Sequence, residues 1–530
     1  MQRLSLISRA AAAATRNHRG AAARPATAAL LSTRAERPGG GGTGAAEGRL
    51  GGIGAMSEDE AVVVRSGTSG RSLELNRPKA LNALNLPMID AITPVIQQWE
   101  QFRADAGHRL AVHADPDVTS PGTVSPYDSV GDSQLETDSP AAGTYSTVVD
   151  AAPVGAVMYG AGGKAFCAGG DIRALYDNGS VAAKRHRTHD FFMKEYRLNH
   201  LLGTTPTPIV SVLNGITMGG GVGLSVHGKV RVATEATLFA MPETGIGFFP
   251  DVGGGYFLPR LPHPGLGLYL ALSGARLRGA EALAAGVATH YMPVAGLDAL
   301  EQAVRNDLYR DAAADEATSD AAIAHVLEQH CVAPPAEASR KLTDRLGAIG
   351  RCFGDDVGTI EECVARLAAE AGAAGPEANE RFQTGGDPDA TWARKTLGLL
   401  ARASPAALKV TFEQLRRGGG KHGGTDGADL GAVLRMEFRI AVRFMEKDQG
   451  SDFFEGVRAL IVDKDMKPEW LHAPAGGALR ALADADAEPQ PLADALTDAL
   501  GRVSPEEVAE YFAPLPGREG TEAVELELLR

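Results

Sequence analysis

Three glycine-rich segments contain the residues of this chain that are best suited to chemistry. They span residues 160–173, 214–225 and 241–256, and in each one glycines stand where a strand-like pattern passes into a helix-like pattern. Such a turn exposes backbone N–H groups at the start of a helix, where they can hold a phosphate or a developing oxyanion. A single glycine cluster of this kind is usually only a tight turn. Two such turns together could place two N–H donors on one carbonyl oxygen.

The third segment also carries two carboxylates, Glu243 after Pro242 and Asp251 before a run of glycines. Each acid alone has a structural explanation, because Glu243 suits the start of a helix and Asp251 suits a turn cap. From the residues alone, the structural explanation is preferred for both acids. Cys167, in the first segment, has no histidine near it in a motif, which favours a packing role over a nucleophilic one.

The elements around these segments follow an α/β pattern. Residues 62–64 and 72–75 read as two short strands of a hairpin, and residues 83–102 have the apolar spacing of an amphipathic helix. Residues 155–159 read as a buried strand, after which strand and helix patterns alternate to the end of the third glycine-rich segment. From residue 265 to residue 462 the pattern is mostly helical.

Composition shifts predict several regions along the chain. They are a transit peptide (1–37), a Gly-rich linker (38–60), an α/β core (61–263) interrupted by an acidic insertion (114–150), a helical C-terminal region (264–472) and an Ala-rich extension (473–530). Six arginines and no acid precede Glu36, which is typical of a mitochondrial transit peptide, with an Ala-rich tail as the alternative. The insertion has seven acids and neither Lys nor Arg, so we expect a disordered surface segment.

The overall composition excludes several function classes. The chain has 52 Lys and Arg against 66 Asp and Glu, a formal net charge of −14, so we expect no nucleic-acid partner and no binding to an anionic membrane surface. A local basic patch for a phosphate-bearing ligand stays open. The chain contains no run of about 18 apolar residues, so we expect no membrane span. The four cysteines show no zinc spacing, so we expect no structural metal and no disulfide scaffold.

The three segments, in this order and with the later segment 451–465, resemble the enoyl-CoA hydratase/isomerase (crotonase) superfamily and, within it, the 3-hydroxyisobutyryl-CoA hydrolases. The similarity runs from about Val62 to Trp470, apart from the acidic insertion. The resemblance implies an α/β fold, a crotonase-like stack of ββα units with a helical C-terminal region. It implies an acyl-CoA thioester as the ligand and no cofactor. A homo-oligomer remains open.

The resemblance also implies roles for individual residues. The backbone N–H groups of Gly170 and Gly220 match the family's oxyanion hole, and Glu243 and Asp251 match catalytic carboxylates of its hydrolases. Glu195 matches a substrate-binding position, together with Gly220, Glu243 and Asp251. An exposed helix acid is the alternative explanation for Glu195.

The reaction is indicated by one missing carboxylate. Hydratases of the family use two glutamates, and the first of those positions is Gly223 here, whereas the second is Glu243. Without two carboxylates across an alkene, hydrolysis at the thioester carbon is favoured. Glu243 could form a mixed anhydride with the acyl group or act as a general base on water, and the sequence leaves both open.

The resemblance therefore predicts a mitochondrial hydrolase of a short branched 3-hydroxyacyl-CoA, most simply 3-hydroxyisobutyryl-CoA, as in valine degradation. Two alternatives belong to other classes. One is an enoyl-CoA hydratase or isomerase, against which Gly223 argues. The other is a non-catalytic, mitochondrial ribosome-associated protein, against which the joint presence of Gly170, Gly220, Glu243 and Asp251 argues.

A reporter fused to residues 1–50 should enter mitochondria, because arginines without acids give the cationic leader typical of import signals. Fluorescence microscopy against a mitochondrial stain measures the outcome. A matched fusion with the six arginines replaced by glutamine should stay in the cytosol. Cytosolic or plastid fluorescence from the unaltered fusion contradicts the prediction.

Overall fold

The computed structural model describes residues 61–113, 152–308, 315–372, 388–419, 429–446, 451–485 and 488–515. The predicted transit peptide (1–37), linker (38–60) and acidic insertion (114–150) lie outside the described residues, as do residues 516–530 of the predicted extension. Within the described part, the strands are β1 (Val62–Ser66), β2 (Arg71–Leu75), β3 (Ala156–Gly160), β4 (Ala165–Cys167), β5 (Ile209–Leu213), β6 (Ile216–Met218), β7 (Val230–Ala233), β8 (Leu238–Ala240), β9 (Leu277–Arg278) and β10 (His290–Tyr291).

The larger of two sheets has the strand order β1-β2-β3-β5-β7-β10. The predicted hairpin is confirmed, since β1 and β2 pair in antiparallel fashion with Val62 opposite Leu75. The other neighbouring strands are parallel. The central strands bury Val157 and Val210 completely, as expected for a parallel sheet that is covered on both faces.

The smaller sheet, with the order β4-β6-β8-β9, brings the three glycine-rich segments together. β4, β6 and β8 are parallel neighbours, with Cys167 opposite Thr217 and Met218 opposite Ala240. Parallel strands point the same way, so the turns that follow them leave the sheet at the same edge. The chemistry-bearing turns of the three segments are therefore adjacent in space.

Helices dominate the described chain after residue 264, as the sequence pattern predicted. The α-helices are α1 (Leu86–His113), α2 (Ile172–Gly179), α3 (His186–Thr204), α4 (Gly220–Gly223), α5 (Gly254–Phe257), α6 (Leu266–Ser273), α7 (Ala280–Ala284), α8 (Leu297–Asn306), α9 (Glu316–His330), α10 (Arg340–Thr343), α11 (Leu346–Phe353), α12 (Ile360–Gly372), α13 (Pro388–Leu400), α14 (Pro405–Gly418), α15 (Leu430–Phe444), α16 (Asp452–Val457), α17 (Ala478–Asp484), α18 (Pro489–Gly501) and α19 (Pro505–Phe512). The strands β9 and β10 interrupt this region, and two residues are too few to show the alternating pattern of a strand in the sequence.

The predicted helix over residues 83–102 is observed as α1, but it begins three residues later. The residues before it bond to the first glycine-rich segment instead. Leu84 N donates to Gly169 O at 2.8 Å, and Asp171 N donates to Leu84 O at 2.8 Å. This pairing fixes the backbone on both sides of Gly170.

The described part of the predicted extension is helical and packed. Leu496 and Leu500 on α18 are fully buried in one apolar cluster with Leu367 and Leu397. In the described part of the chain, no helix combines the length and apolar character needed to cross a membrane.

Candidate active site

The backbones of Gly170 and Gly220 approach each other where the first two glycine-rich segments meet. A Cβ atom placed on Gly220 would lie 3.2 Å from the backbone nitrogen of Gly170. The residues before them, Gly169 and Gly219, have φ angles of +118° and +45°, which residues with side chains rarely adopt. Among the described residues, neither the Gly170 nor the Gly220 N–H donates a backbone hydrogen bond. Both donors are therefore available to one acceptor.

Three carboxyl groups surround this pair of donors. Glu195 extends from α3, Glu243 begins the 3₁₀ turn Glu243–Ile246, and Asp251 lies in the loop before α5. The Oε1 atom of Glu195 would be 2.6 Å from a Cβ placed on Gly220, and the Oε1 atom of Glu243 would be 3.1 Å from one placed on Gly219. The structure thus brings together the residues singled out from the sequence.

All three carboxyl groups are buried, and Glu195 is only 2% exposed. The alternative of an exposed helix acid at this position is therefore wrong. Tyr196 Oη donates a hydrogen bond to Asp251 Oδ2 at 2.9 Å. Glu195 Oε1 and Glu243 Oε2 have no hydrogen-bond partner within the described part of the chain. These two oxygens are free to bind a ligand.

Burial raises the pKa of each of the three carboxyl groups. Burial raises the pKa of Glu243 and of Glu195 well above the ordinary value, and the nearby charge of Asp251 raises both further. Burial raises the pKa of Asp251 to about 7, against the opposing effect of the Tyr196 hydrogen bond. A carboxyl group with a pKa near neutral pH, as at Asp251, is suited to proton transfer in catalysis.

The position of the missing carboxylate is sterically closed. A Cβ atom on Gly223 would lie 2.7 Å from Asn199 Nδ2 and 2.7 Å from Val252 Cβ. Any side chain at this position would have to displace one of these neighbours. The absence of a glutamate at residue 223 is therefore built into the packing of the site.

A carboxylate that sequence reasoning missed holds the loop with Asp251. Glu437 on α15 accepts hydrogen bonds from Gly253 N at 2.6 Å, from Gly255 N at 2.8 Å and from Gln414 Nε2 at 2.8 Å. Gln414 Nε2 also donates to Pro250 O at 2.8 Å. Burial raises the pKa of Glu437 to about 8, although the two backbone N–H groups oppose this shift. We call this group, Glu437 with Gln414, the loop clamp.

A histidine supports the same loop from the other side. His227 Nε2 lies 2.6 Å from Val252 O, and Val252 has a φ angle of +52°. Burial of the ring lowers the pKa of His227 to about 4, so the neutral ring donates its Nε2–H to that carbonyl. The hydrogen bond stabilises a backbone conformation that a β-branched residue seldom adopts.

The late signature segment 451–465 packs beneath Glu243. Ser404 N donates to Thr244 O at 3.1 Å, and the Ser404 hydroxyl donates to Asp452 Oδ2. The backbones also approach closely, because a Cβ placed on Gly456 would lie 2.2 Å from Ile246 O. The signature segment therefore supports the turn that carries Glu243.

The remaining candidate nucleophile does not fit the site. Cys167 is fully buried, and burial raises the pKa of its thiol to about 12. A thiol at such a pKa is a poor nucleophile at neutral pH, which agrees with the predicted packing role. Across the described ranges, no three His, Cys, Asp or Glu side chains are grouped so that they could hold a metal ion.

Known proteins similar to this chain share one family. A family model described as enoyl-CoA hydratase/isomerase matches residues 145–485. A protein of Xenopus laevis named "3-hydroxyisobutyryl-CoA hydrolase, mitochondrial" is 39% identical over 411 residues, which cover 77% of this chain and 83% of the relative. A protein of the same name from Dictyostelium discoideum is 40% identical over 402 residues, or 75% of this chain and 83% of the relative.

A solved structure is also similar to this chain. It is described as a carnitinyl-CoA dehydratase from Mycobacterium thermoresistibile, is 29% identical, and has a TM-score of 0.58 over 87% of this chain and 98% of its own. The predicted crotonase-like fold is confirmed by this structure together with the family model.

Replacement of Glu437 by alanine should lower the free energy of unfolding by at least about 2 kcal/mol, because it leaves the buried N–H groups of Gly253 and Gly255 without an acceptor and removes one of the two hydrogen bonds that Gln414 Nε2 donates. Urea denaturation of both proteins measures the change. Glu446→Ala, just beyond the end of the same helix, is the matched control and should change stability by less than about 0.5 kcal/mol. Equal effects of the two substitutions contradict the assigned role of the loop clamp.

Proposed function

The chain belongs to the enoyl-CoA hydratase/isomerase family, and on that premise we propose that it hydrolyses the thioester of 3-hydroxyisobutyryl-CoA to 3-hydroxyisobutyrate and CoA. The observation that carries the proposal is the position of the carboxyl groups. Residue 223, where hydratases of the family carry a glutamate, is a glycine, and Asp251 is present in addition to Glu243. The space at Gly223 is filled by Asn199 and Val252, while Glu243 Oε1 lies beside Gly219 and Asp251 is close enough for its charge to raise the pKa of Glu243. The site therefore has carboxyl groups for attack at a carbonyl carbon and lacks the pair needed across an alkene.

The relatives support the substrate and the compartment. Both relatives described above carry the name of a mitochondrial 3-hydroxyisobutyryl-CoA hydrolase, and the chain aligns with most of their length. The enzyme is accordingly a mitochondrial acyl-CoA thioester hydrolase, with valine degradation as the consistent pathway. Its substrate is a small molecule, and neither nucleic acid nor membrane enters the proposal.

The proposed mechanism begins with the paired backbone donors. The thioester carbonyl oxygen accepts hydrogen bonds from Gly170 N–H and Gly220 N–H, which stabilise the negative charge that develops on this oxygen. The loss of one such donor typically costs about 2.7–4 kcal/mol of transition-state stabilisation. Glycine suits residue 220, because a Cβ there would lie only 2.6 Å from Glu195 Oε1.

Glu243 then supplies the attack on the carbonyl carbon. In one route its carboxylate oxygen forms the new C–O bond, the C–S bond breaks, and water opens the resulting mixed anhydride. In the other route it removes a proton from water, whose oxygen bonds directly to the carbonyl carbon. In both routes the CoA thiolate leaves and takes up a proton. Single-turnover hydrolysis in H₂¹⁸O separates the routes, because only the anhydride route transfers an unlabelled Glu243 oxygen to the product.

Asp251 and Glu195 have supporting roles in this proposal. Asp251, held by the Tyr196 hydroxyl, orients the water or the carboxylate. In the anhydride route it accepts the proton that the attacking water releases and passes it to the CoA thiolate, whereas in the general-base route the thiolate takes the proton that Glu243 removed from water. The Asp251 pKa of about 7 suits a group that changes protonation state during turnover at neutral pH. Glu195 borders the donor at Gly220 and binds the substrate there. Proton sharing among three close acids keeps them from being ionised all at once.

The alternative functions lack a comparable observation. A hydratase or isomerase would need a second carboxylate near Gly223, where the packing leaves no room for one. A non-catalytic role would leave unexplained why three acids remain buried together at a cost in stability. Hydrolysis accounts for both features.

Thiol release from a panel of acyl-CoAs by the purified protein tests the proposed function. We expect rapid CoA release from 3-hydroxyisobutyryl-CoA and no hydration of crotonyl-CoA, measured by loss of the enoyl absorbance. Hydration of crotonyl-CoA without thiol release would establish the hydratase alternative. Activity with neither substrate would support the non-catalytic alternative.

Glu243→Gln should lower kcat for thiol release by at least about 10²-fold, since it keeps the shape of the side chain but removes the basic carboxylate. CoA affinity, measured by calorimetry, should be unchanged. Asp251→Asn should also lower kcat, and the double variant should be little worse than Glu243→Gln, because groups that act as one unit lose their function together. Glu235→Gln, at an exposed glutamate, serves as the control. A Glu243→Gln protein with wild-type kcat contradicts the mechanism.

A further inference from the structure

Asn199 is a buried polar side chain at the site that the mechanism does not use. It lies on α3, four residues after Glu195, so the two side chains share one face of the helix. Asn199 is fully buried, yet neither Nδ2 nor Oδ1 has a hydrogen-bond partner among the residues that the structure describes. Both ends of its amide are therefore unsatisfied.

An unsatisfied buried amide is costly to the folded protein. A buried polar group without a partner costs about 1–3 kcal/mol, and nearly all such groups in folded proteins are paired. A leucine of similar shape would avoid this cost. The amide thus has the properties of a group that is kept for a ligand at the expense of stability.

The position of Asn199 relative to the oxyanion donors defines what it can reach. Its Nδ2 atom lies beside Gly223, 2.7 Å from where a Cβ would stand. Gly223 is three residues after Gly220 on α4, a distance of about 4.5 Å along a helix axis. In a 3-hydroxyacyl thioester, three bonds of about 1.5 Å each separate the carbonyl carbon from the hydroxyl oxygen. The amide therefore lies one helical turn from the carbonyl site, within the span of a three-carbon acyl chain.

We infer that the Asn199 side chain hydrogen-bonds the 3-hydroxyl group of the substrate and selects 3-hydroxyacyl thioesters over their unsubstituted analogues. This inference rests on the proposed function and names the part of the substrate that the site recognises. Asn199 binds the acyl group and takes no part in bond making or breaking.

The chemistry of the amide matches a hydroxyl group. A hydroxyl group is both a donor and an acceptor, and the amide offers Oδ1 as an acceptor and Nδ2 as a donor. A neutral partner is favoured over an anionic one here, because Glu195 shares a helix face with Asn199 and Asp251 directly precedes Val252, which packs beside Asn199 at Gly223. A neutral side chain at residue 199 also avoids placing a fourth carboxyl group beside Gly223, the position where hydratases of the family carry a glutamate.

The expected selectivity follows from the Asn199 amide, which has no hydrogen-bond partner when the bound thioester lacks the hydroxyl group. Isobutyryl-CoA has the same branched carbon skeleton without the hydroxyl group, so its binding would enclose the Asn199 amide without a partner. Sites built to hydrogen-bond a substrate hydroxyl reject analogues that lack it by up to about 10⁴–10⁵-fold. Discrimination between these two thioesters therefore measures the contribution of Asn199.

The test compares kcat/KM for 3-hydroxyisobutyryl-CoA and isobutyryl-CoA in wild-type, Asn199→Leu and Asn199→Ala proteins. The ratio of the two values should fall at least about tenfold in both variants, mostly through loss of activity on the hydroxylated substrate. Thr411→Val is the matched control, since Thr411 Oγ1 on α14 is also buried without a partner but is not assigned to the site. Its ratio should equal that of the wild type.

The Tm of the free protein distinguishes a ligand-binding role of Asn199 from a purely structural one, because the two roles predict opposite changes on substitution. If the amide faces a ligand, Asn199→Leu should keep or raise the Tm of the free protein, because an unsatisfied polar group is removed. An unchanged selectivity ratio in both variants overturns the inference, as does a fall in Tm with Asn199→Leu that is accompanied by equal losses on both substrates. Wild-type protein that fails to hydrolyse 3-hydroxyisobutyryl-CoA at all overturns the proposed function itself.

Discussion

The burial of three carboxyl groups around one glycine turn is the constraint to which the rest of the structure responds. Burial makes Glu195, Glu243 and Asp251 easier to protonate than in water, and the charge of Asp251 raises the pKa of Glu195 and Glu243 further. The pKa of Asp251 rises from 3.8 to about 7 on folding. Between these values the folded state binds more protons than the unfolded chain, so the contribution of this group to the free energy of unfolding falls as the pH rises.

The helices that follow the α/β core hold these acids in place. Glu437 and Gln414 fix the loop that carries Asp251, and Asp452 with Ser404 supports the turn that carries Glu243. The site is therefore supported by residues far along the chain, since Glu437 follows Gly253 by 184 residues. The helical region therefore fixes the loop of Asp251 and the turn of Glu243, and these contacts join residues that are far apart in the sequence.

The space beside residue 223 holds the neutral amide of Asn199 and no carboxylate. A glutamate at residue 223 would add a fourth acid to a buried group of three, and the packing of Asn199 and Val252 against Gly223 prevents it. The neutral amide occupies that space without adding charge. Reaction type and substrate preference are thus coupled, because the same side chain that closes the hydratase position faces the acyl chain.

The sequence by itself determined the parts of the site that depend on local patterns. The glycine turns and the alternation of strands and helices follow from residue type and spacing, whereas the significance of Glu243, Asp251 and the glycine at residue 223 came from the resemblance to the enoyl-CoA hydratase/isomerase superfamily. The tertiary structure alone decided the burial of Glu195, the loop clamp at Glu437 and the placement of Asn199. The physical reason is that burial and hydrogen bonding depend on which distant elements pack together, and a single acid or amide on an amphipathic helix carries no local pattern that reveals its partners.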